Sequence, residues 1–347
     1  MTWCGTRPST RRKTGDGPHS EGVSVPPYGW SVRARRVRRA RPSRSGAVAV
    51  LAVSLVLLAT SCATSDDTGA VALPPASPTE AASPAVAASS TPPVTASATP
   101  SAAPSPSRAR QAVDATKRAA SSRRGTRLGV AVLDRATGTL EVNDEADTAV
   151  NSASLSKLLT VVDMLDRRAA GTVRVPESDL RLVARALGPS DDGAMNALWS
   201  RYGGPAGITR VIQRLELQDT TPPDDSSQWG EVQLSARDMV TVFRHVYEMA
   251  PADRALVLDD LQAAPSTAAD GFDQGFGLLD PATRGTAVAK QGWLCCLQQS
   301  IDLHSAGALD RDGRYLVALT SKQAFGYPAA RTVLNNAASA VRRAVAG

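Results

Sequence analysis

The apolar positions along the chain follow two periodicities, arranged in a definite order. Residues 109–121 show helical spacing, and residues 128–134 form a continuous apolar run of the kind found in buried strands. A glycine-containing turn leads from that run into a second predicted strand at 139–142. Helical spacing then returns, with apolar residues at 155, 158, 159, 162 and 165.

The middle of the chain is predicted to be mostly helical, and its end returns to strands. Helices are expected near 179–187, 193–201, 205–216 and 235–249. Strands follow at 287–293, 301–309 and 314–320, and a helix at 328–345 closes the chain. Strands at both ends with helices between them predict an α+β sandwich, in which an antiparallel sheet built from both ends of the domain packs beside a helical subdomain.

The segment before the predicted domain is typical of an export signal. Residues 1–61 hold a basic region and then an uncharged apolar run at 47–59, which is too short to span a bilayer comfortably. Small residues precede Cys62, as in a bacterial lipobox, whose cysteine is acylated and becomes the mature N-terminus. We therefore predict a lipoprotein anchored through Cys62 to the outer face of the cell membrane. The alternative is an ordinary cleaved signal and a secreted protein.

The rest of the chain divides into a tether and one domain. Residues 62–107 consist almost entirely of Ala, Pro, Ser and Thr, a composition that predicts a disordered tether. Residues 108–347 show one continuous pattern, so we expect a single domain with a sizeable core. The net charge of +6 comes from residues 1–62, whose balance is +9, while the remainder carries −3. This remainder offers no basic footprint, so we predict no nucleic-acid partner.

Ser154 and Lys157 form the first cluster of candidate catalytic residues. They stand three residues apart at the start of a predicted helix, for which Asn151 and Ser152 are the expected caps. At this spacing both side chains share one helix face. A neutral lysine amine in a desolvated pocket can take the proton of the serine hydroxyl, and the positive helix end favours developing negative charge. The alternative is a solvated lysine on a surface helix.

Two further clusters lie downstream. Ser190 opens the segment Ser190-Asp191-Asp192 before a predicted helix, and an N-cap is the alternative interpretation of this segment. Lys290 lies on a predicted strand with Gly292 two residues further on, which suggests a cation beside a closely approached backbone. The alternative for Lys290 is an edge-strand lysine that protects against aggregation.

In this order, the three clusters resemble the motifs Ser-x-x-Lys, Ser-Asp-Asn and Lys-Thr-Gly of the penicillin-recognising serine hydrolases, particularly class A β-lactamases and D-alanyl-D-alanine peptidases. The resemblance extends to the turn Tyr202-Gly-Gly-Pro205-Ala-Gly207 and to the order of the terminal strands and closing helix. It covers nearly the whole predicted domain and implies the same sandwich fold.

The resemblance also implies roles for particular residues. Ser154 would be the acylated nucleophile, and Lys157 its base or proton relay. Ser190 would pass a proton to the leaving nitrogen, while Lys290 would hold this network and attract a substrate carboxylate. The oxyanion hole would be formed by the backbone N–H groups of Ser154 and Trp293.

The sequence departs from the family at three places. Asp192 replaces the family's Asn and Gln291 replaces its Thr; with Gly292, these are the expected substrate-binding residues. A carboxylate at 192 would repel the carboxylate or amide oxygen that an Asn accommodates. Segment 217–235 lacks the Glu-containing motif that activates the deacylating water in class A β-lactamases. The nearby acids are more readily explained as solvated loop residues: Asp224, Asp225 and Glu231.

These features predict an exported serine hydrolase of the β-lactamase or penicillin-binding type, acylated at Ser154 by a β-lactam or a peptidoglycan-like peptide and slow to deacylate. The alternative is a catalytically degenerate cell-wall-binding lipoprotein that retains the fold. We expect a monomer without cofactor, and no metal site, because His245 and His304 lack metal-ligand spacing. Adjacent cysteines can close only a strained ring, so Cys295 and Cys296 are not expected to form a structural disulfide. We expect them to pack at a strand end rather than to act in redox chemistry.

Overall fold

The computed structural model describes residues 105–121, 125–324 and 326–346. The signal predicted at 1–61, the lipidation site Cys62 and most of the tether lie outside these residues, so their assignments stay predictions. Within the described ranges, no helix combines the length and the apolar character needed to cross a membrane.

A five-stranded antiparallel sheet forms the centre of the domain. Its strands run in the spatial order β2-β1-β7-β6-β5, so strands from the two ends of the chain meet at the β1–β7 pair. The strands of this sheet are β1 (Arg127–Asp134), β2 (Thr139–Val142), β5 (Val288–Cys295), β6 (Ile301–Ala308) and β7 (Tyr315–Gln323). This topology confirms the predicted sheet built from both ends of the domain.

Strand β1 explains why its sequence is a continuous apolar run. Leu128, Val130 and Val132 face one hydrophobic core, whereas Ala131 and Leu133 face the other. Successive side chains of a strand point to opposite faces, so a sheet covered on both sides needs apolar residues at every position.

Helices supply both coverings. Helices α1 (Arg108–Ser121) and α8 (Tyr327–Ala346) pack on one face, against each other and against the sheet. The helices on the other face are α2 (Ser156–Ala169), α3 (Glu177–Leu187), α4 (Asp192–Tyr202), α5 (Pro205–Leu215), α6 (Ala236–Glu248) and α7 (Pro251–Gln262). The predicted α+β sandwich is therefore confirmed.

Two local predictions of secondary structure are wrong. Asn151 belongs to a short ribbon in which β3 (Val150–Asn151) pairs with β4 (Gln233–Leu234), and Ser152 makes no capping hydrogen bond. Helix α7 was not predicted, because its apolar residues cluster at 256–258 instead of recurring along its length. Helix α7 is stabilised despite this weak pattern because three of its side chains pack into the core: Val257, Leu258 and Leu261.

The expectation that Cys295 and Cys296 pack at a strand end is also wrong. The two residues are exposed and joined to each other by a disulfide. They lie where β5 ends, beyond the part of the strand that the helices cover. Because the bond joins neighbours in sequence, it links no distant parts of the chain.

The close pairing of β5 and β6 depends on Gly307. A Cβ atom at this position would collide with the backbone of Val288 and Ala289 on β5. We expect Gly307→Ala to lower the free energy of unfolding by about 3 kcal/mol, because the strands would have to separate. Urea unfolding measures this loss.

Gly138→Ala is the matched control for that experiment. Gly138 has a φ of +72°, but a Cβ there would meet nothing within 4 Å. Only the backbone conformation then opposes the change, at a cost of about 1 kcal/mol. Equal losses in the two variants would show that close strand packing at Gly307 is unimportant.

Candidate active site

The predicted nucleophile lies in a strained turn. Ser154 is buried in the 3₁₀ turn Ala153–Leu155, which leads directly into α2. Ala153 has a φ of +49°, in the left-handed region that residues with a side chain rarely adopt. The hydroxyl of Ser156 donates a hydrogen bond to the carbonyl of Ala153 at 2.9 Å and helps to hold this conformation. Strain of this kind is maintained by the surrounding structure and is frequent at functional sites.

Strand β5 passes close to this turn because residue 292 is glycine. A Cβ at Gly292 would lie 2.9 Å from the carbonyl oxygen of Ser152 and 3.4 Å from the Cβ of Ala153. The backbone approach predicted from the sequence is therefore present. The expected oxyanion donors, the N–H groups of Ser154 and Trp293, belong to the two segments that this contact brings together.

Two buried lysines meet at one hydroxyl group. Lys157 Nζ on α2 donates to Ser190 Oγ at 3.0 Å, and Lys290 Nζ on β5 donates to the same oxygen at 2.8 Å. Lys157 is fully buried and Lys290 is 1% exposed. The structure thus brings the serine of the second motif between the lysines of the first and third, while the catalytic roles of these residues remain predictions.

Asp192 completes the hydrogen bonding of Lys157. Its Oδ1 accepts from Lys157 Nζ at 2.7 Å, and the carbonyl oxygen of Ser190 accepts at 2.6 Å. With Ser190 Oγ, these acceptors use all three N–H donors of an ammonium group. Burial lowers the pKa of Lys157, whereas the charge and hydrogen bond of Asp192 act in the opposite direction. An ammonium group has no lone pair, so Lys157 would have to lose a proton before it could accept one from Ser154. Among the described residues, Lys157 makes no hydrogen bond to Ser154.

Lys290 lies in a different electrostatic environment. Burial, and then repulsion by Lys157, hold its pKa well below the ordinary lysine value. Nowhere in the described ranges does a carboxylate hydrogen-bond to its Nζ; its second acceptor is the backbone oxygen of Gln291 at 3.1 Å. A neutral amine has a lone pair, to which the Ser190 hydroxyl can donate. Ser190 can therefore link two lysines that differ in protonation state.

The segment around Ser190 is both a helix cap and part of the site. Ser190 has a φ of +58°, and Asp191 caps α4 by accepting a hydrogen bond from the N–H of Ala194 at 3.1 Å. Arg185 hydrogen-bonds to the Asp191 carboxylate at 2.9 Å and fixes it there. The N-cap interpretation is therefore correct for Asp191, and the neighbouring Ser190 is turned to the lysines.

Trp229 covers Lys157, a contact that the sequence did not predict. The centre of the Trp229 ring lies 4.9 Å from Lys157 Nζ, and the indole N–H donates to Asn196 Oδ1 at 2.8 Å. Trp229 belongs to segment 217–235, which aligns with the loop that carries the water-activating Glu in the class A β-lactamases that the sequence resembles. The acids considered there form no hydrogen bond to Ser154 or Lys157 in the described structure: Asp224, Asp225 and Glu231.

The side chain of Gln291 is engaged within the protein. It is fully buried, and its amide donates to the carbonyl oxygens of Gln274, at 3.2 Å, and Phe276. A contact between this side chain and a substrate carboxylate would require these hydrogen bonds to break. Strand alternation accounts for the arrangement, because the neighbouring Lys290 points to Ser190.

A buried polar network lies behind the nucleophile turn. His304 on β6 pairs with Gly292 across the sheet. Its Nδ1 accepts from the N–H of Ser321 at 3.1 Å, so its proton is on Nε2, which donates to the carbonyl of Asn151 at 2.8 Å. The Asn151 amide in turn donates to Asp302 Oδ2 at 2.9 Å. Burial lowers the pKa of His304, and the neutral ring supports the segment three residues before Ser154.

This fold and this cluster of Ser154, Lys157, Ser190 and Lys290 define a β-lactamase-like serine hydrolase architecture. The model of the beta-lactamase enzyme family matches residues 178–345. The Mycobacterium tuberculosis protein named "Putative lipoprotein LppW" is 34% identical over 236 residues, which are 67% of this chain and 73% of that protein. The chain belongs to the beta-lactamase enzyme family.

Solved structures show the same fold at low sequence identity. A beta-lactamase from Chitinophaga pinensis is 13% identical, with a TM-score of 0.53 over 67% of this chain and 99% of that one. A variant of PBP-A, solved as an acyl-enzyme complex with penicillin G, is 18% identical, with a TM-score of 0.54 over 67% of this chain and 96% of that one. At these identities the likeness concerns the fold alone.

The buried neutral state of His304 predicts a pH dependence of stability. A histidine has an ordinary pKa of 6.5, and the folded value is lower. As pH falls below that ordinary value, the unfolded chain takes up the proton first, so stability decreases by up to about 1.4 kcal/mol per pH unit until the folded pKa is reached. In His304→Gln this contribution should be absent. Urea unfolding between about pH 5 and pH 8 measures this pH dependence of the free energy of unfolding. If that free energy fell with pH as steeply in His304→Gln as in the wild-type protein, the buried neutral state of His304 would be contradicted.

Proposed function

We propose that the chain is an exported serine hydrolase of the β-lactamase or penicillin-binding type, acylated at Ser154 by a β-lactam or a peptidoglycan-like peptide and slow to release the acyl group. The observation that carries this proposal is the Ser190 hydroxyl, hydrogen-bonded to both Lys157 and Lys290 beside the nucleophile turn. Anchoring through Cys62 would hold the domain at the outer face of the membrane, and the lipoprotein name of the mycobacterial relative supports this part.

Acylation would proceed by nucleophilic substitution at the substrate carbonyl. Ser154 Oγ forms a bond to the carbonyl carbon while the bond from that carbon to the leaving nitrogen breaks. The Ser154 proton passes to the amine of deprotonated Lys157, and Ser190 gives a proton to the leaving nitrogen and regains one from a lysine. The N–H groups of Ser154 and Trp293 would bind the oxyanion, a contribution of about 3–4 kcal/mol per donor.

Slow deacylation is proposed because, in the described part of segment 217–235, no carboxylate hydrogen-bonds to Ser154 or Lys157. Trp229 occupies the space over Lys157 from the segment in which class A β-lactamases carry their water-activating Glu. The Trp229 ring is apolar on its faces and can neither accept nor relay a proton from water. The acyl group would therefore stay on Ser154 until water reached it without a general base.

One observation favours the alternative function, a cell-wall-binding lipoprotein without catalysis. The ion pair of Lys157 with Asp192 at 2.7 Å favours the protonated lysine against the effect of burial, and a protonated lysine cannot activate Ser154. The two functions differ in whether Ser154 reacts with an acylating compound.

The direct test is to incubate the purified protein with benzylpenicillin and determine its intact mass. We expect an adduct of one penicillin on Ser154, absent in Ser154→Ala and retained in Ser178→Ala, a change at an exposed serine on α3. The adduct should persist after the free penicillin is removed. Absence of an adduct from the wild-type protein would favour the wall-binding alternative, and rapid loss would contradict the slow deacylation.

The Asp192 carboxylate is expected to delay acylation at neutral pH. Because its charge and hydrogen bond raise the pKa of Lys157, Asp192→Asn should lower that pKa and increase the fraction of free amine. Acylation by benzylpenicillin should accelerate about ten-fold for each unit by which the pKa falls, as long as the lysine is mostly protonated. The pH profile of the acylation rate should move to lower pH, and an unmoved profile would show that Lys157 is not the base.

A further inference from the structure

Two carboxylates stand at the acylation site. Asp192 begins α4, and its side chain is 31% exposed although one oxygen binds Lys157. Asp270 is exposed on the segment before β5, where its oxygens accept from the indole N–H of Trp293 at 3.1 Å and from the N–H of Phe272 at 2.9 Å. Within the described ranges, no Lys or Arg forms an ion pair with Asp270.

Both carboxylates lie close enough to act on the catalytic lysines. Asp192 and Asp270 each raise the pKa of Lys157, and each opposes the lowering of the pKa of Lys290. The charge of Lys157 is balanced by Asp192, while burial and the nearby Lys157 favour the neutral form of Lys290. Asp270, held beside the site by Trp293, therefore contributes a negative charge that no Lys or Arg ion pair offsets among the described residues.

The aromatic residues at the site also accommodate positive charge. Trp229 lies 4.9 Å from Lys157 Nζ, and Trp293 lies 5.8 Å from Lys290 Nζ. Phe272 stacks on Trp293 with ring centres 4.6 Å apart and is half-buried. The faces of such rings attract cations, and the indole of Trp293 additionally holds Asp270 in place.

We propose that Asp192 and Asp270 determine the specificity of the site for acyl donors that carry a protonated amine close to the bond that is broken. This inference rests on the proposed function. A carboxylate accepts hydrogen bonds and attracts an ammonium group, whereas it repels a carbonyl or carboxylate oxygen at the same position. Asp192 has one oxygen left after binding Lys157, and Asp270 has no cation of its own within the described structure.

Ampicillin and benzylpenicillin form a matched pair for the test, because ampicillin differs only by an amino group on the acyl side chain. Rate constants of acylation are measured for each compound from intact mass at about pH 6, where the amine is protonated. We expect ampicillin to acylate the wild-type protein about five-fold faster, a ratio typical of one partly exposed charge pair.

Variants separate specificity from reactivity. Asp192→Asn changes the reactivity of Lys157 towards both compounds, so only the ratio of the two rates is compared. The ratio should fall towards one in Asp192→Asn and in Asp270→Asn. It should be retained in Asp312→Asn, which removes an exposed carboxylate in the turn between β6 and β7. A ratio that falls as the pH rises through the pKa of the ampicillin amine would identify the ammonium as the selected group.

The outcomes distinguish this inference from the function on which it rests. Equal rates for the two compounds, or a ratio unchanged in both Asp192→Asn and Asp270→Asn, would overturn the specificity and leave acylation at Ser154 intact. Absence of an adduct with either compound would overturn both. A ratio lost in the two variants and kept in Asp312→Asn would support the inference.

Discussion

The hydrogen bonds from Lys157 and Lys290 to the Ser190 hydroxyl are the interaction on which the rest of the site depends. Lys157 comes from α2, Lys290 from β5, and Ser190 from the turn before α4. The same oxygen therefore joins the sheet to the helices that cover it. Removing it would leave two buried amines short of an acceptor, and an unsatisfied buried polar group costs about 1–3 kcal/mol, more when it is charged.

Two buried lysines in contact through one hydroxyl group impose an electrostatic constraint. If both were protonated, each charge would carry the desolvation cost of burial and would repel the other. Asp192 resolves this by stabilising the charge on Lys157, so that Lys290 is left to lose its proton. The departure from the family's asparagine at this position is thus part of the charge balance. In the proposed reaction, the proton that Asp192 favours on Lys157 would have to leave before Ser154 reacts.

The same charge balance changes what the site can attract. In the family resemblance, Lys290 would draw in a substrate carboxylate, but here burial disfavours its charged form and two aspartates lie nearby. Trp229 adds a second change, because it places an apolar ring over Lys157 from the segment in which class A β-lactamases carry a water-activating acid. Together these features are the reason for proposing an enzyme that forms an acyl-enzyme and hydrolyses it slowly.

The amino-acid sequence by itself determined most of the helices, the sheet built from both ends of the domain, and the spacing that places Ser154 and Lys157 at the start of α2. These follow from local periodicity, from a spacing of three residues on one helix and from a resemblance carried by short motifs. Gln291 could have been placed from the sequence too, because a strand that directs Lys290 to one face directs its neighbour to the other.

Only the tertiary structure decided what surrounds these residues. Trp229 reaches Lys157 from a segment more than 60 residues away, and His304 supports the nucleophile turn across 153 residues of sequence. Such contacts depend on how the sheet, the helices and the loops pack together, and no local pattern encodes that packing. For the same reason the sequence presented Asp192 as a departure from a motif, whereas the folded chain made it the partner of a buried lysine.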